Sequence, residues 1–181
     1  MEPADYEMYR AAIHGDQEAF ELVIRKMSRP LFAIAFGALQ NREEAEDAVQ
    51  DAFVKAWKGR WRVRSAEKFP AWIATIVRRR AHDILMRRKT IPLEEQFNEI
   101  PSTQAQSWLA DAERHQQVHA ALATLPELHR SALALRYLQG MDYATIERTL
   151  GVSDGALRGI LGRALSTMRK RLKPRMEVLR C

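Results

Sequence analysis

Apolar residues recur at helical spacing along almost the whole of this 181-residue chain. No stretch sustains the alternation of a half-buried strand. The one Asp-Gly pair, Asp154-Gly155, sits inside a helical pattern rather than between two strand-like runs. The helical recurrence lapses over TIPLEEQFNEIPSTQAQSWLAD, residues 90–111, which holds two prolines, scattered acids and no period. A chain that is helical on both sides of one aperiodic stretch is expected to be all-α. It reads as two small helical domains, 1–89 and 112–181, joined by a flexible linker, 90–111.

Stop and start signals divide the domains further. Asp16 can cap a helix through FELVIRKM, interrupted near Pro30. A second pattern, 42–57, carries Ala45, Val49, Ala52, Phe53 and Ala56 on one stripe and ends at Gly59. A third runs from Pro70, well placed in a first turn, to Lys89. A helix resumes near Asp111, and Pro126 and Gly140 bracket another. Asp142 and Ser153 can cap the two helices of TIERTLGVSDGALRGILGRAL, residues 145–165, which has the outline of a helix-turn-helix.

Apolar residues make up 46% of the chain, enough for a buried core. Cys181 is the only cysteine, so no disulfide framework or cysteine metal cluster is expected. MEPADYEMYRAAIHGD lacks the order of a signal peptide, and LFAIAFGAL is far too short to span a bilayer. The expectation is a soluble, cytoplasmic protein with no membrane insertion.

The net charge of +6 is unevenly placed. Residues 1–57 sum to −5, 58–89 to +9, 90–125 to −4 and 126–181 to +6. Two basic blocks separated by acidic ones suggest two contact zones for a polyanion rather than one uniform coat.

The first basic block, KGRWRVRSAEKFPAWIATIVRRRAHDILMRRK, interleaves aromatic residues with cations. On a helix from 70 to 89, Ile73, Ile76, Val77 and Ile84 form a buried stripe. Trp72, Thr75, Arg79, Asp83 and Met86 share another face, suited to base edges. Arg78, Arg87, Arg88 and Lys89 fan around the rest, where cations suit phosphates. Arg80 falls within the apolar stripe and should snorkel or pair with an acid. In the preceding loop, Trp61 stands among Arg60, Arg62 and Arg64, the composition of a stacking site for an unpaired base. The plainer alternative is a solvated basic face with Trp61 and Trp72 in the core. The helix before this block turns Asp47, Gln50, Asp51 and Val54 away from its buried stripe; such a face is usually only solvated surface.

Together these segments carry a resemblance. Glu46-Asp47, Gln50-Asp51, Phe53 and Trp57 resemble the helix with which bacterial sigma factors grip core RNA polymerase. WIATIVRRRAHDILMRRK resembles the segment that reads the minus-ten promoter element, and residues 125–164 resemble the domain that reads the minus-thirty-five element. The order and size are similar to those of extracytoplasmic-function (ECF) sigma factors.

The resemblance implies that Glu46, Asp47, Gln50 and Asp51 meet the polymerase, and that residues 60–68, with Arg60, Trp61, Arg62 and Arg64, capture a flipped base. It implies that Thr75, Arg79 and Asp83, beside Trp72, Arg78, Arg87 and Arg88, contact the melted minus-ten strand. Ser153, Arg158, Gly159, Gly162, Arg163, Arg169 and Lys170 would meet minus-thirty-five DNA. Its partners would be core polymerase, promoter DNA and an anti-sigma factor. The chemistry of transcription would belong to the polymerase.

Several residues depart from the family pattern. Arg79 stands where Asn is usual, Glu147 where the helix-turn-helix usually has Ala, and Gly159-Ile160 where Ser and Arg are common. Interior glycines weaken the second helix by roughly 1 kcal/mol each. Either bare glycines let the backbone approach DNA closely, leaving Arg158 and Arg163 to give coarse specificity, or this surface serves a protein partner. The second possibility gives a different function, a sigma-like decoy that binds an anti-sigma protein without reading promoters. A third class, a stand-alone helix-turn-helix repressor, requires a dimer helix that the pattern does not supply.

No enzyme chemistry, cofactor, metal or small-molecule substrate is expected. In HQQVH, residues 115–119, Gln116 stands where a zincin needs Glu. No phosphate loop or nucleophile elbow occurs. The twenty-two residues 90–111 reach at most ~75–80 Å, against roughly 70 Å for two turns of duplex. The domains could touch sites two turns apart only with the linker nearly extended.

Overall fold

The computed structural model of the chain describes residues 1–90 and 117–176, and every regular element among them is helical. The expected linker lies outside the described residues, apart from Thr90.

Helix α1, Pro3–Ile13, begins with proline in its first turn and has Asp5 beside its positive end. Gly15, at φ +99°, turns the chain into α2, Gln17–Leu39. Asp16 caps α2 as expected, its Oδ1 accepting from the Ala19 amide at 3.0 Å. The expected interruption at Pro30 does not occur. The helix runs through it, because Met27, Pro30, Leu31 and Ile34 are all buried and packing on both sides outweighs the missing amide. Asn41 caps α3, Arg42–Gly59, accepting from the Glu44 amide at 3.0 Å. Short 3-10 turns at Arg60–Arg62 and Ala66–Lys68 lead into α4, Phe69–Thr90.

The second domain begins with α5, helical over 117–123. Next comes α6, Glu127–Leu133, which winds on through a wider turn at Ala134–Leu138. Helix α7, Tyr143–Leu150, is capped by Asp142, which accepts from both the amide and the hydroxyl of Thr145 at 2.9 Å. Gly151, at φ +69°, closes it by donating its amide hydrogen to the Glu147 carbonyl and turns the chain into α8, Asp154–Met176. Ser153 sits at the start of α8, its Oγ 3.4 Å from the Ala156 amide.

Helix α2 is the spine. It packs against α1, α3 and α4 on one side and α6 on the other. Phe69, Ile73 and Val77 of α4 and Leu31, Ile34 and Leu39 of α2 are fully buried, each contributing about 1.5–3 kcal/mol. The same apolar core continues into Leu133, Leu135, Ile146, Leu157 and Leu161, so the two domains lie against each other. They approach through small residues. A methyl group on Gly37 would come 3.2 Å from Ala134 Cβ, and one on Gly151 would come 3.1 Å from Ala71 Cβ. Arg78 and Glu127 form an ion pair across the seam at 3.5 Å.

Candidate nucleic-acid interface

The apolar stripe of α3 turns one acidic face outward. Glu46, Asp47 and Gln50 are exposed and Asp51 is half-buried. Glu46 pairs along the helix with Arg42 at 2.8 Å. Asp51 lies 2.8 Å from Arg80 Nε, so of the two outcomes open to Arg80 it takes the pairing with an acid. The geometry is that of an ion pair rather than a hydrogen bond. These four residues therefore share one surface, with Asp51 committed in part to α4.

Next to this face, the end of α3, the 60–62 turn and α4 enclose a cleft of about 460 Å³. Trp72, Arg79 and Asp83 line it from α4 and Arg62 from the turn, as the sequence pattern expects. Lys55 and Lys58 also line it. Neither is among the expected contacts, Lys55 because it precedes the basic block and Lys58, which opens that block, because it lies outside the α4 pattern, although their spacing from Asp51 is helical. Trp72 stacks on Phe69 with ring centres 5.7 Å apart, giving the cleft a rigid aromatic wall.

Trp61 is 70% exposed, with the Arg62 guanidinium 5.1 Å from its ring. The core placement considered for Trp61 is thus excluded; Trp72 is partly buried. Arg60 is braced. Its Nη1 donates to the Trp57 carbonyl at 2.5 Å and its guanidinium lies 3.9 Å over the Trp57 ring. Arg64 is exposed.

Other expected contacts are not gathered with these. Thr75 donates to the Ala71 carbonyl and accepts from Arg78, which turns towards Glu127 in the second domain. Arg88 binds the Glu44 carboxylate and donates to the Leu39 carbonyl at 3.1 Å, tying α4 to α3 and to the end of α2. Arg87 is exposed.

On α8, Arg158, Gly162, Arg163, Arg169 and Lys170 are exposed, Ser153 is exposed at the turn, and Gly159 is half-buried. Arg158 reaches back to Asp154 at 2.9 Å and lies 5.0 Å over the Tyr143 ring. This hydrogen bond and charge hold the Asp154 carboxyl below its usual range and raise the guanidinium. Glu147 is half-buried and packs near enough to Arg158 to reinforce that shift. Ile160 is 6% exposed and belongs to the core beside Leu157 and Leu161. Nothing lies within 4 Å of a methyl group placed on Gly155 or Gly162.

Among the described residues, no three acids, histidines or cysteines gather as a metal site. No described helix is long and apolar enough to cross a membrane.

Two family models match the chain in order, Sigma-70 region 2 over residues 23–91 and Sigma-70 region 4 over residues 115–172. The chain is 31% identical over 174 residues to the ECF RNA polymerase sigma factor SigM of Mycobacterium tuberculosis, covering 94% of this chain and 86% of that protein. It is 24% identical over 172 residues to the ECF RNA polymerase sigma-E factor of Escherichia coli, covering 88% and 90%. Among solved structures, the fold is similar to CnrH in complex with the cytosolic domain of CnrY (TM-score 0.65, 23% identity, 95% of this chain and 99% of that chain). It is also similar to the sigma factor RpoE of Bartonella quintana in complex with the anti-sigma factor NepR (TM-score 0.54, 22% identity, 85% and 96%).

Proposed function

The chain belongs to the sigma-70 family as an ECF sigma factor with regions 2 and 4, and from that premise we propose how its surfaces divide the work of initiation. An alternative sigma factor binds core RNA polymerase and directs it to promoters. Here the acidic face of α3, with Glu46, Asp47, Gln50 and Asp51, is the polymerase contact. The α4 cleft and the 60–68 segment meet the melted minus-ten strand, with Trp61 as a stacking platform and Arg62, Arg79, Lys55 and Lys58 on its phosphates. The exposed face of α8 enters the major groove at the minus-thirty-five element, with Arg158 and Arg163 reading bases and Arg169 and Lys170 attracting phosphates. The chain supplies recognition and melting, and the polymerase supplies catalysis. It works where the polymerase is, in the cytoplasm.

One observation carries this division. A single helical domain presents an acidic face and, directly beside it, a basic aromatic cleft, as a protein must that bridges an enzyme to a polyanion. The seam between the domains supports regulation by an anti-sigma factor, because a partner that holds the seam shut keeps the two reading surfaces from separating. Of the two similar solved structures, one is a complex with the cytosolic domain of CnrY and the other a complex with the anti-sigma factor NepR. The burial of Ile160 removes it from the case for a decoy, since its side chain serves the core.

Transcription in vitro tests the reading, with the purified chain added to core polymerase over fragmented bacterial DNA. Discrete start sites should arise, and the double reversal Asp47→Lys with Asp51→Lys should abolish them and weaken core binding. Absence of any initiation by the folded wild-type chain would overturn it.

A further inference from the structure

Three glycines stand in α8, and their surroundings differ. A methyl group on Gly155 or Gly162 would meet nothing within 4 Å. One on Gly159 would come 3.2 Å from Arg163 Nη1, 3.5 Å from Nη2 and 3.6 Å from Cζ. The Arg163 guanidinium therefore holds the ground that a side chain at 159 would take. Its direction follows from helix geometry. Long side chains lean towards the helix N-terminus, so residue 163 covers the surface one turn back, at 159.

We infer that Gly159 is a specificity-determining residue that acts through Arg163. Lacking a Cβ, it seats the Arg163 guanidinium close against the helix and so fixes where that cation meets the groove. The inference rests on the reading that α8 meets minus-thirty-five DNA, and names the residue that sets what Arg163 reads.

Three observations support it. First, neither the backbone nor the core explains this glycine. Gly159 is not among the residues with positive φ, and the atoms nearest to its missing Cβ all belong to the flexible end of Arg163. An interior glycine weakens a helix relative to alanine, so what it secures here is the place of that one side chain. Second, Arg163 is available. It is exposed and has no carboxylate partner among the described residues, so its donors are not committed to an acid. Its neighbour Arg158 differs, giving Nε to both oxygens of Asp154 at 3.0 and 2.9 Å. One arginine is held by an acid and the other by the shape of its seat. Third, the chemistry is sensitive to position. An arginine fork reads O6 and N7 of guanine in the major groove, and such contacts tolerate only about 0.5 Å of misplacement. A Cβ at 3.2 Å is enough to push the guanidinium off its seat. Gly159 is thus not bare surface left for DNA to approach; Gly155 and Gly162 are the open ones.

The test uses the chain assembled with core polymerase on promoters with a randomised minus-thirty-five element, scored by initiation. The wild-type holoenzyme should prefer guanine at one position, and Arg163→Ala should remove that preference. Gly159→Ala adds only the crowding carbon, and Gly159→Ser adds a hydroxyl to it. Both should fold, with a higher melting temperature for Gly159→Ala, and the guanine preference should fall in that order, by up to about tenfold. Gly155→Ala, made where space is open, should leave the preference in place. In an Arg163→Ala background, Gly159→Ala should change base preference no further, because its effect passes through Arg163. Unchanged preference in both Gly159 variants, or in Arg163→Ala, overturns the inference while leaving the sigma-factor reading intact. A Gly159→Ala effect that persists without Arg163 also overturns it, since the glycine then acts by itself. A wild-type holoenzyme that initiates with no minus-thirty-five preference would strike the underlying reading, and the inference with it.

Discussion

A bulky indole left in water is costly unless something covers it in use, and Trp61 is such a residue. Its ring is 70% exposed beside the Arg62 guanidinium, so Trp61→Ala should leave thermal stability nearly unchanged. The same substitution should weaken holoenzyme binding to a single-stranded minus-ten oligonucleotide by about 1–3 kcal/mol, measured by fluorescence anisotropy. Arginines divide differently from what their sequence suggests. Arg78, Arg80 and Arg88 all stand in one basic run, yet each is drawn to a carboxylate, Glu127, Asp51 or Glu44. A sequence gives the density of positive charge in such a run. It does not reveal which guanidinium finds an acid 29 to 49 positions away, because that is decided by how α4 packs on α3 and against the second domain.

At the scale of elements, the boundaries were readable wherever a single residue, by its side chain or by lacking one, makes the start or stop. Asp16 and Asp142 cap the helices assigned to them, and Gly59 and Gly151 end theirs. Pro30 misled for an opposite reason. A proline's cost is local and visible, whereas the burial of Met27, Leu31 and Ile34 that overrides it is tertiary. Helix α8 carries the clearest element-scale expectation. Gly162 has helical neighbours and open space around it, so Gly162→Ala should raise stability by about 1 kcal/mol in urea unfolding. If the bare surface lets DNA approach closely, the same variant should lose affinity for upstream promoter duplex despite its gain in stability.

For the whole molecule, the arrangement of the two domains was the least legible feature. Helical periodicity shows which face of a helix is apolar, but not that α2 buries two faces, one in each domain. The seam depends on small residues, Gly37 against Ala134 and Gly151 against Ala71. Gly37→Leu should therefore act as a wedge. It adds side-chain volume where a single methyl is already tight, a change that typically costs about 1–3 kcal/mol, and the domains can relieve it by separating. Small-angle X-ray scattering should show a larger radius of gyration for this variant, with binding to core polymerase retained. An unchanged radius would mean that the seam repacks instead of opening.

Arg78 links these scales through a simple competition. Its guanidinium lies on the helix we propose to face DNA, yet it neutralises Glu127 in the other domain. One cation cannot serve as full counter-ion to a carboxylate and to a phosphate at once. If Arg78 meets a phosphate as the resemblance implies, closure and DNA occupancy are linked functions, and linkage is reciprocal: whatever factor by which the seam weakens the promoter, the promoter weakens the seam by the same factor. Promoter DNA is in this sense an effector of the protein's own shape, competing with any partner that prefers the shut form.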